Sequence, residues 1–432
     1  MYNLKDFGIE KSSGVLDNGS KIFHFHKSNA PISSFAIFDA GSRHDPIGKE
    51  GTAHYTEHML FKSTKKFKDE TETGLFLESI GGSANAFTGV DFLGITAEIG
   101  MREDLYKIVD FVHELSRNSL FEESKVNTER GTIFGEIADY ESNPALYIQD
   151  LTQQVLFQET YAARSIAGTK ETVEKISRDD LFEFYSSRIL KNTMNIVTAG
   201  DADFNEIVGL FNNAFGHEKL SEPHFTQENL NLPRGNPVKI KLYKDTDQVF
   251  MGFSFRTCPY KNIDSTPLEV IRTIMGSGFS SSLYRKLRTE NGLVYSLDVS
   301  SEGSFDRGYF SVITSTSKDK VQKVLHILID EFRRLREGKI LQEELELAKN
   351  KIIKEKFRKM QSSGSWAAFH VPEIIFNPEN PLDLSDWLNE IEKVKLEDVI
   401  LVSEKYFNSE NWYLSLCGDV KESDFSFIKD SF

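Results

Sequence analysis

The chain reads Met-Asn-Ile-Val-Thr-Ala-Gly-Asp at residues 194–201 and Trp-Tyr-Leu-Ser-Leu-Cys-Gly-Asp at residues 412–419, 218 residues later. The same shift aligns Val-Glu-Lys-Ile at 173–176 with Ile-Glu-Lys-Val at 391–394. In both copies a Glu-Lys turn leads into an amphipathic helical pattern, and then into a strand-like run that ends at Gly-Asp. A repeat of about half the chain length that keeps the order of elements indicates an internal duplication. The two halves are therefore predicted to share one fold.

Each half has strand patterns at both ends and helical patterns between them. Strands are predicted at 33–40 and 249–255, and long helices at 102–116 and 318–336. Strands at both ends with helices massed between them favour the α+β class. We predict two homologous sandwich domains, each a mostly antiparallel sheet packed with helices.

A polar stretch separates the two halves. Residues 217–237 include Pro223 and Pro233 and show little hydrophobic periodicity. Proline-rich stretches without periodicity are typical of connections between domains. We predict a linker here, between a first domain at 1–216 and a second domain at 238–432.

The composition limits the kinds of partner. The 432-residue chain has a formal net charge of -15, which argues against binding to nucleic acid or to an anionic membrane surface. The 2 Cys residues are far apart, which suits a reducing compartment and excludes a disulfide framework. The first residues show no signal-peptide pattern, and no apolar run is long enough to span a bilayer. We expect a cytoplasmic protein without nucleic-acid or membrane partners.

One predicted helix in the first half carries the pattern of a metal site, in His54, Glu57 and His58. At about 100° per residue, the two histidines lie ~40° apart on one helix face, and Glu57 lies about 60° from His54. Zinc favours nitrogen and oxygen ligands, and a carboxylate beside it can act as general base toward an activated water. His24 and His26 alternate on a predicted strand and are interpreted as one exposed polar face rather than a second metal site.

A second predicted helix, at 127–140, offers the missing ligand. Its Glu129 and Glu136 are seven residues apart and therefore lie within ~20° of one another on the helix surface. One of them can ligate the metal while the other holds a histidine ring or the bound water in place. The alternative is that these histidines and glutamates occur together by chance.

These segments resemble the pitrilysin/insulysin family of zinc metallopeptidases, whose inverted motif is His-x-x-Glu-His. The resemblance is to its half-length, processing-peptidase-like branch. Residues 51–64 resemble the extended signature of that family, and residues 129–136 resemble its second motif, whose last glutamate binds zinc. The resemblance implies that Glu136 is the third ligand and that Glu129 lies behind the ligands. It also implies one zinc ion per chain, since the second half contains no His-x-x-Glu-His.

The resemblance extends to substrate-binding segments. The segment with Asn85, Ala86 and Phe87 resembles the family's substrate strand, whose edge accepts an extended peptide as an added strand. In the second half, Arg288 and Tyr295 resemble the family's Arg/Tyr pair, which implies contacts to the substrate carbonyl and to the developing oxyanion. Without the resemblance, these residues fit an ordinary strand, a surface arginine and a packed tyrosine.

The family also implies an assembly. Its full-length members place four such domains around a chamber, whereas this chain supplies two. We therefore expect a homodimer, or a heterodimer with a related subunit, in which Arg288 and Tyr295 complete the site of the other chain. The expected function is that of a zinc-dependent endopeptidase acting on peptides or small unfolded proteins. Two alternatives stay open, a dedicated protease for leader or targeting peptides and a catalytically silent scaffold subunit.

Overall fold

The structure is a computed structural model that describes residues 1–222, 232, 235–244, 246–378, 380–425 and 427–428. Much of the predicted linker, at 223–231 and 233–234, lies outside the described residues. The chain forms two compact units. Unit 1 comprises Met1–Ile137, Ser165–Thr226 and Phe357–Trp387, and unit 2 comprises Ala138–Arg164, Gln227–Lys356 and Leu388–Phe432.

Both halves contain strands and helices. The strands are β1 (Glu10–Val15), β2 (Lys21–His26), β3 (Ile32–Phe38), β4 (Ser83–Thr88), β5 (Leu93–Ile99), β6 (Asn195–Gly200), β7 (Val238–Lys241), β8 (Gln248–Thr257), β9 (Leu297–Gly303), β10 (Gly308–Ser317) and β11 (Trp412–Cys417). The helices are α1 (Thr52–Leu60), α2 (Glu70–Ser79), α3 (Leu105–Asn118), α4 (Glu123–Ser142), α5 (Pro144–Phe157), α6 (Lys170–Val173), α7 (Arg178–Tyr185), α8 (Phe204–Phe215), α9 (Ser265–Gly276), α10 (Val321–Arg336), α11 (Gln342–Lys359), α12 (Ser363–Phe376), α13 (Leu384–Lys393) and α14 (Leu396–Tyr406). None of the helices in the described ranges is both long enough and apolar enough to cross a membrane.

The two units contain sheets with the same strand order. In unit 1 the order is β1-β2-β6-β3-β5-β4, and in unit 2 it is β7-β11-β8-β10-β9. Apart from the additional β1, the two orders coincide strand by strand. Each sheet has one parallel pair, β2 with β6 and β7 with β11, and its other pairs are antiparallel. The prediction of two similar α+β halves with mostly antiparallel sheets is confirmed.

A helix from the other half of the sequence covers each sheet. In unit 1, α12 packs on β2, β3 and β6, and the ring of His370 stacks on Phe25 with centroids 3.9 Å apart. In unit 2, α5 packs on β8 and β11, and Thr152 and Ser415 share a hydrogen bond of 2.7 Å. The predicted domains at 1–216 and 238–432 place α5 in the first domain and α12 in the second, whereas the structure places α5 in unit 2 and α12 in unit 1. A sequence pattern shows that a helix has an apolar face, but it does not show which sheet that face packs on.

Cover on both faces explains the burial of the central strands. In β2, Ile22 belongs to the main core of unit 1, while Phe25 points to the opposite face and meets α12. His24 is only 1% exposed; its Nε2 donates to the backbone oxygen of Ala202 at 3.1 Å, and its Nδ1 lies 2.9 Å from the Thr198 hydroxyl. Burial lowers the pKa of His24 to about 4, so the ring is neutral at pH 7. The interpretation of His24 as part of an exposed polar face is therefore wrong.

Candidate metal centre

The first turn of α1 is held by an aspartate and a glycine. The two carboxylate oxygens of buried Asp45 accept backbone N–H groups from Gly51 and Ala53, each at 2.8 Å. Gly51 has φ of 98°, and a Cβ added there would lie 2.6 Å from the backbone oxygen of Ala167. A side-chain oxygen on these N–H groups caps the helix, since the first turn has no intrahelical acceptors for them. Asp45 did not emerge from the sequence, because it lies six residues before the N-cap position Gly51 and so outside the local capping pattern.

Helix α1 buries most of its surface and leaves one side accessible. Tyr55 and Met59 are fully buried in the core of unit 1, whereas His54, Glu57 and His58 are half-buried. The histidine side of the helix is therefore the side on which a ligand and water can reach it. The three polar residues are spaced three and four positions apart, so helical periodicity places them on one side of α1 and the apolar residues on the other.

Helix α4 supplies the carboxylates to this side of α1. Its buried stripe is Val126, Glu129, Ile133 and Ile137, so Glu129 occupies a core position among apolar neighbours. The hydroxyl of Tyr55 donates to the backbone oxygen of Val126 and joins the two helices. Glu136, one turn beyond Ile133, is exposed and faces the histidines.

Three donor atoms converge between the two helices. His54 Nε2 lies 3.3 Å from His58 Nε2, and Glu136 Oε1 and Oε2 lie 3.9 Å and 3.7 Å from the Nε2 atoms of His54 and His58. One ligand atom from each residue lies within 4.8 Å of the others. Zinc ligands at ~2.1 Å and tetrahedral angles are about 3.4 Å apart, so the spacing fits a zinc ion. Two imidazole nitrogens and a carboxylate oxygen are also the donor types that zinc prefers.

A carboxylate and an ammonium group lie behind the histidine pair. His58 Nδ1 donates to Glu129 Oε1 at 2.7 Å, which leaves the lone pair of His58 on Nε2, toward the cluster. The Lys62 ammonium binds the other oxygen of Glu129 at 2.7 Å and also pairs with Glu70. Burial would raise the pKa of Glu129, but the hydrogen bonds from Lys62 and His58 outweigh it and hold that pKa below its usual value. Lys62 lies within the signature segment at 51–64, but the sequence did not predict its contact with Glu129.

The other histidine is kept neutral by its surroundings. Burial, together with the neighbouring His58, lowers the pKa of His54 to about 4. A neutral imidazole offers a lone pair to a metal, whereas an imidazolium does not. At neutral pH His54 is therefore ready to act as a ligand.

Glu57 stands outside the ligand cluster, and its carboxylate meets a strand. The Thr88 hydroxyl donates to Glu57 Oε2 at 2.9 Å. Burial raises the pKa of Glu57, and the hydrogen bond from Thr88 opposes that rise. A half-buried carboxylate of raised pKa suits a general base. Thr88 directly follows the predicted substrate residues 85–87, but its contact with Glu57 was not foreseen.

The predicted substrate residues divide between the two units. Asn85, Ala86 and Phe87 lie on β4, the edge strand of the sheet in unit 1. Arg288 and Tyr295 lie in unit 2, where Arg288 Nη1 donates to the backbone oxygen of Tyr295 at 2.7 Å and the guanidinium lies 5.1 Å from the tyrosine ring centre. The Tyr295 side chain is 80% exposed and so available for contact. The substrate roles of these residues stay predictions.

Two family models match the chain in succession. Residues 22–170 match the family described as insulinase (peptidase family M16), and residues 175–352 match the family described as the peptidase M16 inactive domain. The chain belongs to peptidase family M16. The metal cluster of this M16 chain lies within the first match, and Arg288 and Tyr295 lie within the second.

Curated relatives of the M16 chain carry the name of uncharacterized zinc proteases. One from Rickettsia bellii is 27% identical over 419 residues, which cover 94% of this chain and 96% of the relative. One from Streptomyces coelicolor is 25% identical over 424 residues, which cover 96% and 91%. The names of these relatives thus include zinc, and the spacing of the donor atoms in the cluster fits a zinc ion.

Solved structures of the same fold match nearly the whole M16 chain. A protease from Helicobacter pylori has a TM-score of 0.86 at 19% identity and covers 95% of this chain and 99% of its own. A Pseudomonas fluorescens protein titled peptidase M16 inactive domain also reaches 0.86, at 16% identity and 95% and 98% coverage. A chain of complex III2 from Candida albicans reaches 0.80, at 16% identity and 97% and 99% coverage.

Proposed function

We propose that the chain is a zinc-dependent endopeptidase that hydrolyses peptides or small unfolded proteins. The observation that carries the proposal is the convergence of donor atoms from His54, His58 and Glu136, with Glu57 on the same helix as the histidines. Three protein ligands with a further position open to water are typical of catalytic zinc sites. Zinc held there would polarise a water molecule and the scissile carbonyl group.

The protein's own groups move the protons and hold the ligands. Glu57 accepts a proton from the attacking water as the water oxygen bonds to the carbonyl carbon. Glu57 then delivers that proton to the amine nitrogen as the carbon–nitrogen bond breaks. Glu129 fixes the ring of His58 through Nδ1, so that its Nε2 keeps the orientation of a ligand.

The substrate binds through its backbone in this proposal. In the part of the sheet that the structure describes, β4 pairs with β5 on one side and leaves its other edge for an extended peptide. Peptide N–H and C=O groups add to such an edge with little dependence on side chains. Tyr295 donates to the developing oxyanion, and Arg288 donates to a substrate carbonyl.

The proposal includes one zinc ion per chain and a cytoplasmic dimer that encloses the site. The single His-x-x-Glu-His supports one zinc ion, and the low cysteine content supports a reducing compartment. The dimer is a homodimer, or a heterodimer with a related subunit. Its basis is the resemblance to a family whose full-length members place four such domains around a chamber, whereas this chain supplies two.

Metal content and peptide hydrolysis, measured side by side for the wild type and Glu57→Gln, test the proposal. We expect about one zinc per chain in both proteins, and a loss of cleavage of about 100-fold or more in the variant, as general bases contribute 10²–10⁴-fold. Removing zinc with a chelator should abolish cleavage by the wild type, and added zinc should restore it. A zinc-free wild type, or a Glu57→Gln protein as active as the wild type, would contradict the proposal.

A catalytically silent scaffold is the second candidate. The match of residues 175–352 to the family described as the peptidase M16 inactive domain is the observation that favours it. The complete ligand set and Glu57 argue against it, because a scaffold has no need of converging donor atoms. A wild type that binds zinc but cleaves no unstructured peptide would favour the scaffold. A wild type that cleaves only leader or targeting peptides from a mixture would favour a dedicated processing protease.

A further inference from the structure

The end of the predicted substrate strand is joined to the predicted general base. Thr88 is the last residue of β4, and its hydroxyl donates to Glu57 Oε2 at 2.9 Å. We propose that Thr88 is a positioning residue that orients the Glu57 carboxylate and links it to the strand that binds substrate. This assignment rests on the proposed peptidase function.

The backbone around Thr88 is fixed by a tight hairpin. Thr88 pairs with Leu93 in the β4–β5 ladder, and the next residue, Gly89, donates from its N–H to the backbone oxygen of Phe92 at 2.8 Å. The ring of Phe87 packs edge-on against Phe92, with centroids 5.9 Å apart. Thr88 therefore has little freedom to move away from Glu57.

The hairpin turn is also tied to the segment that leads into α1. The backbone oxygens of Gly89 and Val90 accept N–H groups from Ser42 and Arg43 at 3.1 Å and 2.9 Å. The guanidinium of Arg43 forms a buried ion pair of 2.7 Å with Asp91 in the same turn. The close approach of the two segments depends on Gly41, where a Cβ would lie 2.3 Å from the Val90 oxygen.

That segment continues directly to Asp45, which caps α1. The backbone of Glu57 is thus held through its helix, and its carboxylate is held through Thr88. Among the described residues, Thr88 supplies the one hydrogen bond to that carboxylate. A threonine suits the task because its β-branched side chain has few rotamers, so the direction of the hydroxyl is set by the strand.

The chemical consequence concerns the two oxygens of Glu57. A donor on Oε2 fixes the carboxylate plane and leaves Oε1 for the proton of the attacking water. A peptide that adds to the edge of β4 contacts the same strand that carries the Thr88 hydroxyl. Loss of the hydroxyl should therefore lower the rate of the chemical step more than it weakens peptide binding.

The test uses the zinc-loaded full chain and a set of internally quenched, unstructured peptides. Thr88→Val removes the hydroxyl and keeps the shape, Thr88→Ala is a second removal, and Thr88→Ser restores a donor. Thr73→Val is the control, since the hydroxyl of buried Thr73 also donates a hydrogen bond, to the backbone oxygen of Asp69 at 3.1 Å at the start of α2. Measured quantities are kcat, KM, bound zinc and the midpoint of thermal unfolding.

We expect kcat to fall about 10-fold in Thr88→Val and Thr88→Ala, a part of the 10²–10⁴-fold that a general base contributes. KM and bound zinc should change less than about twofold, and Thr88→Ser should recover most of kcat. The Thr73→Val control should match the wild type in kcat. A wild-type kcat in Thr88→Val, or a Thr88→Ser variant as slow as Thr88→Val, overturns the assignment. A wild type that binds zinc but cleaves nothing overturns the proposed function first, and this assignment with it.

Discussion

At the scale of single residues, Gly51 decides whether the helix with both histidines can begin where it does. Its φ of 98° is unfavourable for any other residue, and a Cβ would meet the Ala167 oxygen at 2.6 Å. Gly51→Ala should therefore lower the free energy of unfolding by about 1–3 kcal/mol, measured by urea denaturation. Gly74→Ala is the matched control, because Gly74 lies inside α2 with open space around it. Alanine there should stabilise the protein by about 0.5–1 kcal/mol, and equal stability of the two variants would contradict the argument.

The residues of the candidate site differ in how far the sequence could reveal them. His54 and His58 follow from helical periodicity, which depends only on spacing along one helix. Glu129 and Glu136 follow in the same way from their own helix, and the resemblance to a family assigned their separate roles. The partners of these groups are different. Lys62 lies two residues after the end of α1 and contacts Glu129 on α4, and no local pattern encodes such a tertiary contact.

At the scale of helices and strands, periodicity predicted several elements but not their neighbours. The strand order in both units matches the predicted duplication, since sequence repeats preserve the order of elements. The positions of α5 and α12 could not be foreseen, because each has an apolar side that fits any apolar sheet face. The structure shows that α5 belongs to unit 2 and α12 to unit 1.

Within α10, a buried carboxylate makes stability depend on pH. Glu331 is fully buried and pairs with Lys286 and with Arg334, the latter at 2.7 Å. Burial alone would raise the pKa of Glu331, but Arg334 and Lys286 outweigh it and lower that pKa below its ordinary value. A depressed folded pKa stabilises the protein fully above the unfolded pKa of about 4.3, and the stabilisation is lost as pH falls toward the folded pKa.

Glu331→Gln should remove this dependence on pH. The free energy of unfolding of the wild type should drop from about pH 5 downward more steeply than that of the variant. At pH 7 the variant should be less stable by about 2 kcal/mol, because a neutral amide pairs more weakly with two cations. Urea denaturation at pH 7 and pH 4 measures both effects. Glu343→Gln, at an exposed position of α11, is the control, and parallel pH profiles for wild type and Glu331→Gln would refute the prediction.

At the scale of the whole molecule, duplication has left two similar folds with different chemistry. Under the 218-residue shift, Arg272 aligns with His54, and Gly276 aligns with His58. Arg272 pairs with Glu269 at 2.6 Å, so a guanidinium group occupies the aligned helix position in place of a metal ligand. Among the described residues, the chain holds one candidate set of metal ligands and one Arg288–Tyr295 pair, and a site needs both in the proposed mechanism.

Mixing two inactive chains shows whether these parts are shared between subunits. We expect Glu57→Gln and Arg288→Ala to be nearly inactive alone. In a mixed homodimer that shares sites, one of the two sites joins an intact Glu57 from one chain to an intact Arg288 from the other. Random exchange of subunits should then restore about a quarter of the wild-type rate, since half of the dimers are mixed and each has one intact site.

The outcome is decisive once mixed dimers are shown to form, for example by native mass spectrometry of chains of different mass. The matched control is a mixture of Glu57→Gln with Glu57→Ala, in which every site lacks the base and no arrangement of subunits can restore activity. Recovery in the first mixture alone places Arg288 of one chain in the site of the other. No recovery from confirmed mixed dimers means that each chain completes its own site, because every site then carries one of the two defects.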